Sequence, residues 1–350
     1  MIYNEYDPLQ EVIIGDVHGP GELDHLFDHN VDGFNSILEE TKEDLDKLSS
    51  LLKEHNVIVH RPKPLTFDSI SLPGFDISIP MSPLVPRDAY MVRAKTILQT
   101  YTSLTDRYFD SLSYYDIFHK MFNEGYNWIA QPLPLLSELK GKWYMDDKLY
   151  ENYNNILWHT ATMFQCGDTI IVNDRGPGTI DGLDWMLRNL PEPTNIRTNR
   201  KTIFESYGHI DHGFILIDDE TVIHGGIDWV PHCLRDKNLI DIQQFIIDPN
   251  DQEFVEDIVK YDSRYDKQWI DRYLNKWKGY NQKICFDLNV LIVDRHNIIF
   301  GRYIPELFKF LKKYNIECHY VDMRHSIFWE GGVHCFSLDI KRRGECRSIL

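Results

Sequence analysis

A cysteine that follows a pair of glycines carries the clearest chemical signal in this 350-residue chain. Residues 329–336 read WEGGVHCF, with Gly331 and Gly332 just ahead of Cys335. Adjacent glycines allow a tight turn or a close approach of the backbone to a ligand. Cys335 would then lie at the mouth of a following strand, where a nearby cation or base can turn its thiol into a nucleophilic thiolate. The alternative for this segment alone is a buried, inert cysteine.

Two histidines surround an aspartate in residues 207–213, which read YGHIDHG. Alternation along a strand would place His209 and Asp211 on one face, where they can act as an acid/base pair. The triplet also suggests metal ligands. However, His212 would face the opposite side of a strand, and further ligands at a fixed spacing are missing. We therefore expect no metal at this segment, and ordinary polar residues remain an alternative.

A third candidate is Asp88, which follows a proline-ended loop in residues 85–90, VPRDAY. On its own it is indistinguishable from an ordinary aspartate at the start of a strand. The sequence contains no phosphate-binding loop, no dinucleotide fingerprint and no G-x-S-x-G elbow. We accordingly expect no cofactor.

Short apolar strands with helices between them must position these residues. Strands are predicted at 11–15, 88–92, 168–172, 213–217, 289–293 and 335–340. Helical periodicity predicts helices over 34–55, 182–190 and 305–314. Residues 51–60 and 310–319 are alike, since each is a helix end, an asparagine turn and a strand. Uneven spacing excludes a solenoid, so the pattern favours a closed α/β array of strand–helix–strand modules.

No linker of serine, glycine and proline divides the chain, so we expect one domain over residues 1–350. Residues 62–86 carry six prolines and predict a long extended loop. Residues 101–153 are rich in aromatic side chains and predict a lid or an insertion.

Composition limits the classes of partner. The 37 basic and 54 acidic residues give a formal charge of −17, which repels nucleic acid and anionic lipid but not a cationic small molecule. We found no run of about 18 apolar residues and no signal-peptide pattern, so a cytoplasmic protein is expected. The six cysteines form no CxxC pair, which favours free thiols.

Four segments, in chain order, resemble the glycine/arginine amidinotransferase family of the pentein superfamily. Residues 4–15 (NEYDPLQEVIIG) are similar to that family's NEWDPLEEVIVG, and 85–88 (VPRD) to MPRD. Residues 208–211 (GHID) are similar to MHID, and 331–344 to GGFHCW followed by DVRRRG. The resemblance implies a five-bladed α/β propeller around a central pocket, and a homodimer is a further expectation because penteins often dimerise.

The resemblance also implies a reaction. Cys335 would attack the guanidinium carbon of L-arginine and form an amidino-cysteine intermediate. His209 would protonate the departing ornithine and then deprotonate an acceptor, a small primary amine with glycine as the candidate. Asp88 and Asp211 would hold the guanidinium nitrogens. Two further residues next to the nucleophile belong to the implied substrate-binding set: Gly332 and His334.

Two positions depart from the family pattern. Where the family has F-D-A-A-[DN], residues 158–162 read WHTAT, so His159 replaces an aspartate that supports the catalytic histidine and the guanidinium. An imidazole is neutral or cationic where an anion is expected. The arginine that grips the substrate carboxylate is not recognisable after Ile223. Ungapped counting back from Asn289 places the family's serine pair at Gln282 and Lys283, and Lys283 is the candidate for the carboxylate-binding role. A hydrolase similar to arginine deiminase or dihydrolase, and a silent pentein that only binds, therefore remain alternatives.

Overall fold

The computed structural model describes residues 1–26, 32–67, 70–72, 75–77, 81–102, 104–134, 155–173, 178–198, 209–246 and 286–350. The strands of these residues, β1 to β17, are Leu9–Ile14, Ile58–His60, Ile70–Leu72, Phe75–Ile77, Tyr90–Arg93, Thr96–Gln99, Asn127–Ala130, Met163–Cys166, Thr169–Val172, Asn195–Thr198, Phe214–Leu216, Thr221–His224, Asn238–Asp241, Leu291–Asp294, Asn297–Phe300, Glu317–Tyr320 and Ser337–Arg342. The α-helices, α1 to α5, are Asp32–Glu54, Asp110–Asn123, Ile180–Asn189, Pro305–Leu311 and Ser326–Trp329.

One connection pattern recurs in five three-stranded sheets of the described chain. In β5-β6-β7 the first two strands form an antiparallel hairpin, and α2 returns the chain so that β7 lies parallel to β6. The sheets β8-β9-β10, β11-β12-β13 and β14-β15-β16 repeat these directions. In the remaining sheet, β17 pairs antiparallel with β1, and β2 lies parallel to β1, so both ends of the chain share one blade.

Burial fixes the orientation of each blade. The first strands β5, β8 and β11 are buried at every position, whereas the third strands β2, β7 and β16 are exposed or half-buried. The first strands therefore line the centre and the third strands face outward. This is the predicted five-bladed α/β propeller.

The predicted helices and the repeated unit are confirmed. The inner face of α1 is buried at every predicted position: Ile37, Leu38, Thr41, Leu45, Leu48 and Leu52. After that helix Asn56 has φ 61°, and in the related unit Asn315 has φ 60°. Asparagine tolerates this left-handed backbone better than most residues, which explains its recurrence at both turns. Helix α4 begins at Pro305, where proline suits the first turn.

The prediction that His209 and Asp211 lie on a regular strand is wrong. Residues Ile210–His212 form a 3₁₀ helix, and β11 begins only at Phe214. Within the described residues the strand register begins at the pair Phe214 and His224, so Ile210–His212 have no cross-strand pairing to hold them extended.

The same correction applies at two other predicted strands. Asp88 lies in the 3₁₀ helix Pro86–Asp88, and β5 follows from Tyr90. Cys335 lies in a turn, and β17 begins at Ser337.

The described part of the aromatic stretch belongs to a blade. Helix α2 and strand β7 complete the second sheet, and Tyr90 packs against Tyr114 and Phe118 with ring centroids 5.0 and 4.8 Å apart. Residues 135–154 lie outside the described residues, so a covering segment is a proposal for that part alone. The loop predicted over residues 62–86 contains the short β3-β4 hairpin. Among the described helices, none has both the length and the apolar character needed to cross a membrane.

Candidate active site

Every blade contributes one polar residue just before its first strand. These residues precede β5, β8, β11, β14 and β17 and are Asp88, His159, Asp211, Asn289 and Cys335. Equivalent positions of a propeller surround its axis, so residues far apart in the chain meet at one place. All five are nearly inaccessible to solvent.

The nucleophile candidate is buried between hydrogen-bonding groups. Cys335 is 1% exposed, and its Sγ lies 3.1 Å from Asn289 Nδ2 and 3.8 Å from Asp211 Oδ2. Burial raises the pKa of the Cys335 thiol well above its ordinary value, and the carboxylates of Asp211 and Asp88 raise it further. In the free site this side chain is therefore a thiol, and a cation is needed to favour the thiolate.

The amide of Asn289 connects the candidate nucleophile, Cys335, to Asp211. Its Nδ2 donates to Asp211 Oδ2 at 2.8 Å as well as to Cys335 Sγ. Its Oδ1 accepts the backbone N–H groups of Gly332 at 3.0 Å and of Cys335 at 2.9 Å. A Cβ on Gly332 would lie 2.9 Å from that oxygen, which explains the glycine. A single amide thus holds the turn, the thiol and the carboxylate.

The carboxylate of Asp211 is held ionised by an imidazole. His334 Nδ1 lies 2.6 Å from Asp211 Oδ2, and His334 Nε2 lies 2.9 Å from Glu5 Oε2. Burial and the Arg87 guanidinium would lower the pKa of His334, but its hydrogen bonds to Asp211 and Glu5 outweigh them and raise it. Burial would likewise raise the pKa of Asp211, yet the His334 hydrogen bond and the neighbouring histidines hold it well below its ordinary value.

Both ring nitrogens of His334 are thus engaged within the protein. Its side chain positions Asp211 in this arrangement, and the predicted contact of His334 with substrate stays a prediction.

Asp88 is held by a buried arginine. Arg107 Nη1 donates to Asp88 Oδ2 at 2.7 Å, while Arg107 Nε donates to Asp110 at 2.7 Å. Burial would raise the pKa of Asp88, but the neighbouring His209, Arg107 and His159 lower it below its ordinary value. Two ionised carboxylates, Asp88 and Asp211, therefore flank a neutral thiol, which makes the pocket suited to a cation.

Three histidines line the same space. His209 Nδ1 lies 3.7 Å from Asp88 Oδ1, and His212 Nε2 lies 3.7 Å from Asp211 Oδ1. The ring of His159 lies 5.8 Å from that of His209, measured between centroids. The departure from the family pattern at His159 therefore falls inside the site.

The donor atoms approach the geometry of a metal site. One donor atom each from His209, Asp211, His212 and Cys335 lie within 4.8 Å of one another. A second group of this kind consists of Asp88, His159 and His209. Imidazole, carboxylate and thiolate are zinc ligands. The argument that His209 and His212 face opposite sides is wrong, because a 3₁₀ turn places residues three apart on the same side.

The structure brings together all predicted site residues that it describes, and it adds others. Lys283 lies outside the described residues, so its carboxylate-binding role stays a prediction. Sequence reasoning missed three contributors, Glu5, Arg107 and Asn289, and it set His212 aside on the strand argument corrected above. The position of Asn289 directly before an apolar strand, like those of Asp88 and Cys335, is the signal that would have identified it.

The sequence relatives named in this paragraph are all amidinotransferases. No protein-family model matches the chain. Inosamine-phosphate amidinotransferase 1 of Streptomyces griseus is 23% identical over 97% of this chain and 96% of its own length. L-arginine:L-lysine amidinotransferase of Pseudomonas savastanoi pv. phaseolicola is 22% identical over 99% and 96%. The mitochondrial glycine amidinotransferase of Gallus gallus is 23% identical over 99% and 84%.

Solved structures agree in fold. An amidinotransferase from Microseira wollei, of the saxitoxin biosynthetic pathway, superimposes with a TM-score of 0.75 at 20% identity, covering 100% of this chain and 99% of that one. A dimethylarginine dimethylaminohydrolase superimposes with a TM-score of 0.55 at 11% identity over 95% and 100%. The chain has the pentein fold and resembles amidinotransferases along nearly its whole length, so the predicted fold and resemblance are confirmed. The predicted enzyme class is also the class of each sequence relative named above.

Proposed function

We propose that the protein is an amidinotransferase that moves the amidino group of L-arginine to a small primary amine through an amidino-cysteine on Cys335. The observation that carries this proposal is the convergence of one thiol, two ionised carboxylates and a histidine from three different blades. A guanidinium is cationic and resonance-stabilised, so its carbon reacts only when carboxylates hold the cation and an acid protonates the leaving nitrogen.

In the donor half-reaction, the thiol proton of Cys335 passes to the imidazole of His209 as the sulfur attacks the guanidinium carbon. The bond between that carbon and the leaving nitrogen then breaks, with its electron pair going to nitrogen. His209 returns the proton to this nitrogen, and ornithine departs as an amine. The amidino group stays on sulfur as a cation between Asp88 and Asp211.

The electrostatics of the site make the nucleophile depend on its substrate. Without a ligand, burial and two carboxylates keep the pKa of Cys335 high. A guanidinium between Asp88 and Asp211 would offset both carboxylates and supply a positive charge beside the sulfur. Opposite charge at this distance favours the thiolate, so the substrate would help to activate the group that attacks it. An empty site with a protonated thiol would also be protected from oxidation.

The resemblance restricts the identity of the acceptor amine less than it restricts the identity of the amidino donor. The names of the three sequence relatives include an inosamine phosphate, lysine and glycine, so the class spans several amines. Glycine remains our candidate acceptor. The part of the predicted lid (residues 101–153) that lies outside the described residues is the proposed cover that keeps water from the intermediate. Lys283 is the proposed contact for a substrate carboxylate.

Product analysis with a panel of amines tests this proposal. The protein is incubated with L-arginine and one amine at a time, and mass spectrometry identifies the products. We expect ornithine and the guanidino form of one amine in equal amounts. Citrulline with ammonia, or ornithine with urea, would indicate a hydrolase on this fold. No product, together with alkylation of Cys335 at the rate of an ordinary buried thiol whether or not arginine is present, would indicate a binding protein.

The grouping of zinc-type donors gives a metallohydrolase a specific basis as a second candidate. It predicts about one equivalent of metal per chain in the purified protein. It also predicts that a chelator removes the activity and that the metal restores it. Full activity in metal-free protein would exclude it and leave amidino transfer.

A further inference from the structure

We propose that His212 is a second catalytic base that accepts the proton of the incoming amine, while His209 serves the departing amine. This inference rests on the proposed amidino transfer. It differs from the expectation drawn from the family resemblance, in which His209 performs both proton transfers.

The first support is placement. His209 precedes the 3₁₀ helix Ile210–His212, and His212 ends it. Residues three apart in such a turn lie one above the other, and the two ring centroids are 6.0 Å apart. A nitrogen of each imidazole lies within 4.8 Å of Cys335 Sγ. An amidino carbon bonded to that sulfur would therefore lie within reach of both.

The second support is that each imidazole has its own carboxylate. His209 Nδ1 faces Asp88 Oδ1, and His212 Nε2 faces Asp211 Oδ1, both at 3.7 Å. These distances exceed a hydrogen bond, but each carboxylate is near enough to stabilise the positive charge of its imidazole once the ring gains a proton. The Nε2 atoms of both histidines are buried and have no hydrogen-bond partner in the structure. A buried imidazole nitrogen in this state needs a ligand group to satisfy it.

The third support concerns which half-reaction uses His212. The side chain of His212 is 22% exposed and that of His209 is 10% exposed, so His212 is the more accessible of the two to an acceptor that arrives from solvent. The ring of Phe286 lies edge-on to His212 with centroids 5.2 Å apart and shields one side of the imidazole.

In the acceptor half-reaction, His212 carries the proton from the incoming amine to the sulfur. The neutral amine attacks the amidino carbon, and His212 takes the proton that the attacking nitrogen loses. The bond from carbon to Cys335 Sγ breaks, with its electron pair returning to sulfur. The proton on His212 then passes to the thiolate and restores the thiol of the resting site.

Separate measurement of the two half-reactions tests the assignment. Wild type, His212→Gln and the control His232→Gln are mixed with L-arginine alone, and the release of ornithine and the gain in protein mass are followed in a single turnover. Each amidino-enzyme is then mixed with the acceptor identified for the wild type, and loss of the added mass is followed. His232 is exposed and lies in the same blade, so its variant should match the wild type in both steps.

For His212→Gln we expect formation of the adduct within about threefold of wild type and discharge slowed about 100-fold or more, since general bases contribute roughly that factor. Added imidazole should restore discharge in His212→Gly. The proposal is overturned if discharge is unchanged, if both steps slow equally, or if imidazole has no effect. Formation of the adduct itself reports that the variant is folded. A wild type that forms no adduct would overturn the proposed function together with this inference, whereas a wild-type adduct that does not need His212 would overturn the inference alone.

Discussion

Truncation of Asn289 should cost both stability and catalysis, because one fully buried amide holds the turn and the nucleophile. Asn289→Ala leaves the backbone N–H groups of Gly332 and Cys335 without their acceptor. An unsatisfied buried donor costs about 1–3 kcal/mol, so the free energy of unfolding should fall by about 2–6 kcal/mol. The thiol also loses its donor at 3.1 Å, and Asp211 loses one at 2.8 Å. Misplacement of a reacting group by about 1 Å can reduce the rate about 100-fold.

Denaturant unfolding measures the first effect, and the rate of adduct formation with L-arginine measures the second. Asn297→Ala is the matched control, since this asparagine of the same blade donates to Asp294 and lies at a half-buried surface position. It should lose about 1 kcal/mol and keep the adduct rate per folded molecule. Asn289→Asp keeps an acceptor for the turn but sets a third carboxylate against Asp211, so it should fold better than the alanine variant and still lose activity. A loss below about 1 kcal/mol with an unchanged adduct rate for Asn289→Ala would refute the reasoning.

Three further predictions concern the pocket. Asp88→Asn removes a negative charge that raises the pKa of Cys335, so the pH profile of alkylation should move to lower pH while turnover falls. Gly332→Ala places a Cβ 2.9–3.0 Å from Asn289, so adduct formation should fall by about tenfold or more as the turn shifts. His159→Asp restores the anion of the family pattern, so the rate of adduct formation with L-arginine should rise.

Each of these predictions has a matched comparison. Asp110→Asn removes the other carboxylate on Arg107 and should leave the alkylation profile of Cys335 unchanged. Gly301→Ala meets nothing closer than 3.8 Å and should keep full activity. His159→Asn removes the imidazole without adding charge, and an equal gain from it would show that charge is not the cause.

Stability should also depend on pH through Asp211. The pKa of this carboxyl is lower in the folded protein than in the unfolded chain. Its contribution to stability is therefore present above the unfolded value and is lost as the pH falls toward the folded value. Asp211→Asn should remove part of the acid-induced loss seen in unfolding experiments, and an unchanged pH dependence would contradict the charge assigned to Asp211.

Features that depend on local periodicity could be predicted from the sequence alone. The inner face of α1 and the left-handed turns at Asn56 and Asn315 follow from residue spacing and from the conformational tolerance of asparagine. The glycine pair before Cys335 also marked this cysteine as the candidate nucleophile without any structure, with a buried, inert cysteine as the alternative.

Contacts between distant segments could not be predicted in this way. Glu5 and His334 are 329 positions apart, and no local pattern connects them. The turn at His209 is too short to show a period, so alternation was assumed where the chain is a 3₁₀ helix. Arg107 lay in a stretch interpreted as a lid, although it holds Asp88. The contacts of Glu5 with His334 and of Arg107 with Asp88 depend on how the folded chain brings distant segments together.

The most direct test of the central claim is the intact mass of the protein after brief incubation with L-arginine, without an acceptor, followed by an acid quench. The account predicts a gain of about 42 Da that peptide mapping localises to Cys335, as expected for covalent transfer of an amidino group. Cys335→Ala should remain folded and show no gain, while alanine at the exterior Cys318 should behave as wild type. An unchanged mass with no ornithine or citrulline formed, or an adduct on another residue, would contradict the account.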